Sequence, residues 1–487
     1  MKLYNTLTKT VDPFITHTEN RVEMYTCGPT VYHFAHIGNL RTYMMEDVLE
    51  RYLTFEGNTV HRVMNITDVG HLTSDADTGE DKMLKGAKRE KKTVMEIAAF
   101  YREAFFADCQ KLNIKTPEVV VPATSCIDEF IATIESLLEK GYAYHAGGNI
   151  YFDTSKVKEY YTLTSHAADD LKVGVRDDVS EDENKRNKCD FVLWFTKSKF
   201  DEQELKWDSP WGIGYPGWHI ECSCISMKNQ GGYLDIHCGG VDNIFPHHTN
   251  EIAQSEAYLG HAWCKHWFHV HHLNDETGKM SKSKGEFLTV SLLEKKGYDP
   301  LAYRYFCLES HYRKPLTFSY EGLDNATKAY NKLINRIAAI LPEGDIDAAV
   351  VEKYRADMIK NVGNDLNTAM GITLLYNILK EKVSGNTKRA VINLIDSVFA
   401  LSLIEKADAK RKEAEDAANS KAEAQAAETN THADDPEAAM VEAAIAERLA
   451  AKKAKDFARA DAIRAELLEK GIILTDIPGG TKWERKA

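Results

Sequence analysis

Between Val22 and Ile66 the chain reads strand, turn, helix, strand, and this order constrains the fold more than any other stretch. The first strand runs into a Gly-Pro loop holding Cys27, Gly28 and Pro29. Met44, Met45, Val48, Leu49 and Tyr52 then recur at helical spacing, and Gly57-Asn58 stops the helix. The run from Thr59 to Ile66 returns as a strand. Two strands joined by a helix within about 45 residues form a βαβ unit, so a parallel sheet with crossover helices is expected.

The same texture is then interrupted and resumed. From residue 120 to 205 a polar, charge-mixed segment intervenes, including the run from Arg176 to Lys188. The period returns at Trp218 to Ser226 and at Tyr233 to His237, a strand leading into Cys238-Gly-Gly. A further helix is expected from Phe245-Pro246, with proline in its first turn. This pattern describes one nucleotide-binding α/β domain split by an insertion. After Tyr320 the chain turns helical: Tyr330, Leu333, Ile334, Ile337 and Leu341 share a face and stop at Pro342. Stretches at Val350 to Val362, Thr368 to Lys380 and Val391 to Leu403 complete a bundle. Residues 405–439 contain no hydrophobic residue except alanine and cannot bury a core, which marks a linker. A small module follows, with Met440, Ile445, Leu449, Phe457, Ile463 and Leu467 on helix faces and a short strand at Ile472 to Leu474.

Composition narrows the setting. The 487 residues suggest roughly three domains, and 43 % hydrophobic content can fill several cores. No apolar run reaches the ~18 residues of a membrane helix, and the first residues lack the apolar core of a secretion signal. Nine cysteines without a framework spacing fit a reducing compartment, so a cytoplasmic protein is expected. A net charge of -13 argues against nonspecific nucleic-acid binding but leaves room for a local basic face.

Three groups of residues carry chemistry. His36-Ile37-Gly38-Asn39 opens the first helix, where unpaired N–H groups and the dipole favour a phosphate. His36 can donate to a phosphate oxygen, and Gly38 lets a base or ribose approach the backbone; an ordinary strand-to-helix turn is the alternative. The run Gly278-Lys279-Met280-Ser281-Lys282-Ser283-Lys284-Gly285 sets three lysines among small residues. Such a loop can fold over a triphosphate and neutralise charge that develops in nucleotidyl transfer; a solvated basic turn is the competing explanation. Third, His247 and Glu251 stand at i and i+4 on one helix face. Imidazole and carboxylate are both zinc ligands, and thiolates would complete a tetrahedron. Cys27 and either Cys222 or Cys224 are the candidates, because the carboxyl ends of parallel strands converge. Buried apolar cysteines beside a surface helix would look the same. The glycine-rich Gly212 to Gly217 follows no strand and contains Pro216, so it reads as a loop. Histidines 266, 269, 271 and 272 are compatible with either a metal or a strand and are left unassigned.

Taken together, the early histidine turn, the late Lys-Met-Ser-Lys-Ser run and the split sheet resemble a class I aminoacyl-tRNA synthetase. Tyr25-Thr-Cys-Gly-Pro-Thr-Val-Tyr, Asp190-Phe-Val-Leu-Trp, Pro216-Gly-Trp-His-Ile-Glu-Cys and Phe245-Pro-His-His-Thr-Asn-Glu-Ile-Ala-Gln-Ser are similar to the cysteinyl-tRNA synthetase family. So is Asp456-Phe-Ala-Arg-Ala-Asp-Ala-Ile-Arg, and the resemblance spans nearly the whole chain apart from the alanine-rich linker.

This resemblance implies an α/β class I synthetase-type Rossmann parallel sheet with an insertion, an α-helical bundle and a small C-terminal anticodon-binding module. It divides the chain into catalytic halves at 1–118 and 206–275, a connective insertion at 119–205 and a lysine-loop and stem-contact region at 276–319. A tRNA-binding bundle at 320–404, the linker at 405–439 and an anticodon module at 440–487 complete it. It implies one zinc per chain on Cys27, Cys222, His247 and Glu251, which binds the substrate thiolate, and Mg2+ with ATP. His36, Gly38, Asn39, Lys279 and Lys282 are implied at ATP, with Asn39 where the family's signature usually carries histidine. Gly28, Thr67, Trp218, His237 and Asp242 are implied in the amino-acid and adenylate pocket. The partners expected are tRNA(Cys), ATP and L-cysteine, for a monomer that acts in protein synthesis. A ligase that passes cysteine to a sugar amine shares the catalytic half, but a small acceptor needs neither bundle nor tail. Residues 451–487 hold nine Lys+Arg against six Asp+Glu, and Trp483 is expected to be available for stacking on an unpaired base.

Overall fold

The chain opens with a hairpin, β1 (Lys2–Asn5) and β2 (Thr10–Pro13). A central sheet then begins with β3 (Arg21–Thr26), β4 (Thr59–Ile66) and β5 (Val119–Pro122). Four antiparallel strands follow: β6 (Ala143–Ala146), β7 (Asn149–Phe152), β8 (Phe191–Phe195) and β9 (Tyr215–Pro216). The central sheet is completed by β10 (Leu234–Gly240) and β11 (Cys264–Val270). Its five strands are parallel in the order β11-β10-β3-β4-β5. This computed structural model describes residues 1–69, 92–164, 182–197, 205–275, 278–279, 287–429, 438–454, 456–477 and 480–485. It divides into two units, Met1–Ala407 and Asp408–Ala487.

The sheet is covered on both faces because its strands are apolar on both. Val22 and Met24 of β3 join one core with Met44, Val48 and Leu49 of the helix Ile37–Phe55. Tyr25, pointing the other way, joins a second core with Ile220 and Ile252 from the helices Trp218–Gln230 and Thr249–Leu259. From β3 the chain crosses to β4 on one side, whereas β10 crosses to β11 on the other. That is a topological switch point, where a crevice opens beyond the strands' carboxyl ends.

Several expectations shift in detail. Residues 119–122, at the start of the stretch read as an insertion, are a strand of the central sheet itself. The sheet β6 to β9 is not polar inside: Tyr144, Tyr151, Val192, Phe195 and Tyr215 pack together. The helix expected from Phe245-Pro246 begins later. Phe245 is extended (φ -140°, ψ 133°), its bond to Pro246 is cis, and the regular helix is Thr249–Leu259. Beyond β11, a small sheet holds β12 (Leu273–Asp275), β13 (Gly278–Lys279) and β14 (Leu316–Thr317). Helices Tyr320–Ala338, Ala348–Asn361, Thr368–Ile378 and Gly385–Phe399 form the bundle. Tyr330, Leu333, Ile334 and Ile337 are buried in the core that also holds Met44, while Leu341, beyond the helix end, is exposed. Arg304 ties these layers by donating to Asp47 Oδ2 (2.6 Å) and to the Phe399 carbonyl (2.6 Å).

A helix, Leu403–Thr429, crosses the alanine-rich stretch, with residues 412–421 exposed along it. Alanine, glutamate and lysine favour helix without needing a core to bury against. In the second unit, the helices Ala438–Lys453 and Phe457–Glu469 pack on a hairpin, β15 (Ile472–Ile477) and β16 (Gly480–Arg485). Trp483 is not available for stacking: it is 7 % exposed and closes a core with Val441, Ile463, Leu467, Ile472 and Leu474. Met440 and Leu449 are exposed because the first helix turns Ala438 and Val441 inward instead, and Phe457 is exposed because the second turns Ala460, Ile463 and Leu467 inward.

Candidate functional site

Cys27 follows the last residue of β3 at the switch point, and three segments bring donors to it. Cys222 lies in the second turn of the helix Trp218–Gln230, not at a strand end, so its neighbour Cys224 points elsewhere. Residues two apart on a helix diverge by about 200°. The Cys224 thiol faces Thr133 Oγ1 (3.2 Å), and burial pushes it up to about 12. His247 comes from the wide turn before the helix Thr249–Leu259, and Glu251 from that helix's first turn.

The four donors converge. Cys27 Sγ and Cys222 Sγ are 3.9 Å apart, Cys222 Sγ and His247 Nε2 3.5 Å, and His247 Nε2 and Glu251 Oε1 3.0 Å. All four ligand atoms lie within 4.8 Å of one another, an arrangement that could hold a metal ion. Cys27, His237, His248 and Glu251 satisfy the same limit, so three imidazoles, His237, His247 and His248, crowd one shared centre. His237 Nε2 is 2.8 Å from Glu251 Oε2, and His219 Nδ1 is 2.9 Å from His247 Nδ1. His248 Nε2 is 3.2 Å from Cys27 Sγ, and its Nδ1 meets His269 Nε2 at 2.8 Å.

Electrostatics follow from burial and crowding. Burial opposes the charge on Glu251, yet His237 and His247 bring its carboxyl down to about 2. Burial likewise opposes a charged His247, but Glu251 and Cys222 carry it up to about 10. The proton on His247 thus balances the carboxylate, and a bound cation can take over that role. Burial and the imidazoles around His248 push it far down, so it stays neutral.

The implied pocket residues divide into two groups. Trp218 stacks on His247 (ring centroids 4.0 Å), and His237 contacts Glu251 directly. Thr67 Oγ1 donates to Glu221 Oε2 (2.8 Å) and accepts from Asn65 Nδ2 (3.0 Å), whose Oδ1 accepts the Gly28 N–H (2.7 Å). A Cβ on Gly28 would meet the Asn65 carbonyl oxygen at 1.6 Å, so glycine is required for close packing there. Asp242 is exposed and pairs with His272 Nε2 (3.1 Å).

At the residues expected near ATP, His36 caps the helix Ile37–Phe55. Its Nδ1 accepts the Asn39 N–H (3.1 Å), and Asn39 Oδ1 accepts the His36 N–H (3.3 Å), a reciprocal capping box. A Cβ on Gly38 would meet the His36 ring at 2.9 Å. Lys279 lies in β13, paired with Asn274, with its side chain outside the described residues, as is all of Lys282. His219, His248, Asn65 and Glu221 were not singled out by spacing, although the doubled histidine at 247 and 248 was a signal for His248; His269 is among the histidines from 266 to 272 that spacing leaves unassigned.

A family model described as tRNA synthetases class I (C) catalytic domain matches residues 13–328. A Cysteine–tRNA ligase of Treponema denticola is 43 % identical, covering 100 % of this chain and 99 % of its relative. One of Borreliella burgdorferi is 42 % identical with the same coverage. A solved Mycobacterium tuberculosis methionyl-tRNA synthetase in complex with methionyl-adenylate shares the fold at TM-score 0.52 and 15 % identity, covering 80 % of this chain and 91 % of that one. The chain belongs to the cysteine–tRNA ligase family of class I tRNA synthetases.

Proposed function

We infer that the chain joins L-cysteine to the 3′ end of tRNA(Cys) in two ATP-driven steps at one site. The observation that carries this reading is the set of two thiols, an imidazole and a carboxylate at the sheet's switch point, buried except for the half-buried Cys27. Zinc fits it. Around a tetrahedral zinc the S–S and S–N edges are about 3.8 and about 3.5 Å, against 3.9 and 3.5 Å here. Cys27, Cys222, His247 and Glu251 would hold the ion. When bound, zinc supplies a soft Lewis acid that favours a thiolate over a hydroxyl. His219 and His237 orient His247 and Glu251 through their second polar atoms.

The cysteine carboxylate attacks the α-phosphate of Mg-bound ATP, giving cysteinyl-adenylate and pyrophosphate. A terminal ribose hydroxyl of the tRNA then takes the acyl group and releases AMP. An ionised carboxylate needs no general base, so the protein's work is positioning and charge neutralisation. His36, Gly38 and Asn39 act on one side of the phosphates, and Lys279 and Lys282 on the other. Trp218 walls the amino-acid pocket, with Gly28, Thr67, His237 and Asp242 around it. A site that needs sulfur can reject serine by a factor on the order of 10⁴ without editing. The bundle at 320–404 and the module at 440–487 serve tRNA binding, joined by 405–439, in a cytoplasmic monomer. The test is cysteine-dependent ATP–pyrophosphate exchange followed by charging of tRNA(Cys). Absence of both retires the reading; exchange without charging points to a small acceptor.

A further inference from the structure

Arg41 is 0 % exposed, one turn into the helix that His36 caps. Its guanidinium donates to four backbone carbonyls and to no carboxylate among the described residues. Nη1 reaches His271 (2.6 Å) and His272 (2.8 Å), and Nη2 reaches Lys314 (2.9 Å) and His311 (3.3 Å). Nε has no partner among the described residues. Burying a cation without a counter-charge is costly, and an apolar side chain would serve the helix as well. What the guanidinium uniquely holds is a chain crossing.

That crossing is the root of the lysine loop. His271 and His272 connect β11 to β12, and His311 to Lys314 lead into β14. β12 pairs with β14 through Leu273 and Leu316, and with β13 through Asn274 and Lys279. Lys279 opens the lysine-rich run, so the outgoing flank of that run hangs on carbonyls that Arg41 gathers. The returning flank is tied to the same helix: the Ile37 N–H donates to the Leu288 carbonyl (2.9 Å). Tyr303 Oη in turn donates to the Ile37 carbonyl (2.8 Å).

We propose that Arg41 is a positioning residue that keeps the strand pair β12–β13, and thus the start of the lysine run at Lys279, in register with His36 across the ATP phosphates. This rests on the functional reading above. It acts through backbone placement and touches no substrate.

The experiment is a double-mutant cycle of Arg41→Lys and Lys282→Ala in cysteine-dependent ATP–pyrophosphate exchange, at a temperature where circular dichroism shows every variant folded. Arg41→Lys keeps the charge but cannot reach all four carbonyls. It should lower kcat/KM for ATP by ~10- to 10²-fold and leave KM for cysteine within about twofold. Arg41→Met should lose more, with lysine rescuing part of the difference. In the Lys282→Ala background the Arg41→Lys loss should nearly vanish, because the group it positions is gone. Additive losses overturn the proposal while leaving the loop's own role intact. An unaffected Lys282→Ala overturns both the loop assignment and the proposal. A loss that falls equally on cysteine, or only matches the unfolded fraction, leaves Arg41 a purely structural residue.

Discussion

The donor cluster and the helix end proposed to meet the phosphates stand at the same end of the sheet but are built by opposite rules. Cys222, His247 and Glu251 are buried, packed between two helices, and neighbours fix the second polar atoms of His247 and Glu251. His36 and Asn39 sit at a helix end open to solvent and hold mainly each other. A group that must tell sulfur from oxygen needs fixed geometry and exclusion of water. Groups that neutralise phosphate charge need reach, and a helix N-terminus and lysines supply it with little scaffold.

The largest effect should come from breaking the rigid half. Cys222→Ser should abolish stoichiometric metal and lower kcat/KM for cysteine by a factor on the order of 10³–10⁴. Cys224→Ser, two residues away, should change neither, since its thiol faces Thr133. Metal analysis of both purified variants alongside exchange kinetics checks this; full activity in metal-free Cys222→Ser protein would refute the assignment. Next, Lys282→Ala should slow adenylate formation by a factor on the order of 10²–10³ with cysteine binding nearly intact. Matching losses in cysteine affinity would erase the contrast between the halves.

Deleting everything after Ala439 should spare exchange and weaken charging by roughly tenfold or more, chiefly through tRNA affinity that salt diminishes further. Unchanged charging constants at moderate salt would remove the tail from recognition. The smallest effect belongs to the open half. Asn39→Ala should cost about 1 kcal/mol of stability through the lost cap, while Asn39→Asp, which keeps the acceptor, should cost less. Urea unfolding of the two variants separates them.

The two halves were also unequally legible. The pair His247 and Glu251 could be read because a helix places i and i+4 on one face, and Cys27 because a strand ends beside it. Spacing alone left Cys222 and Cys224 both open; the resemblance pointed to Cys222, and the helix that carries them gives the physical reason, since it turns Cys224 toward Thr133. His219 and His248 escaped notice, and His269 stayed unassigned, because a histidine's partner lies across the fold, not along the chain. Trp483 was misread for a related reason. A tryptophan on a six-residue strand has two faces to choose from, and only the packing of Ile463 and Leu467 against it decides.

The order of the strands also fixes when the centre can come into being. Cys27 and Cys222 are separated by 195 residues, and His247 and Glu251 come later still. At ~5–20 residues per second of synthesis, the first thiol waits about 10–40 s for the second. During that interval β3 has β4 on one edge but not yet β10 on the other. A metal held by all four donors would have to wait for Glu251, so it would not seed the β3–β4 pair as zinc seeds a zinc finger. Of the central sheet only β11 is made after that last donor.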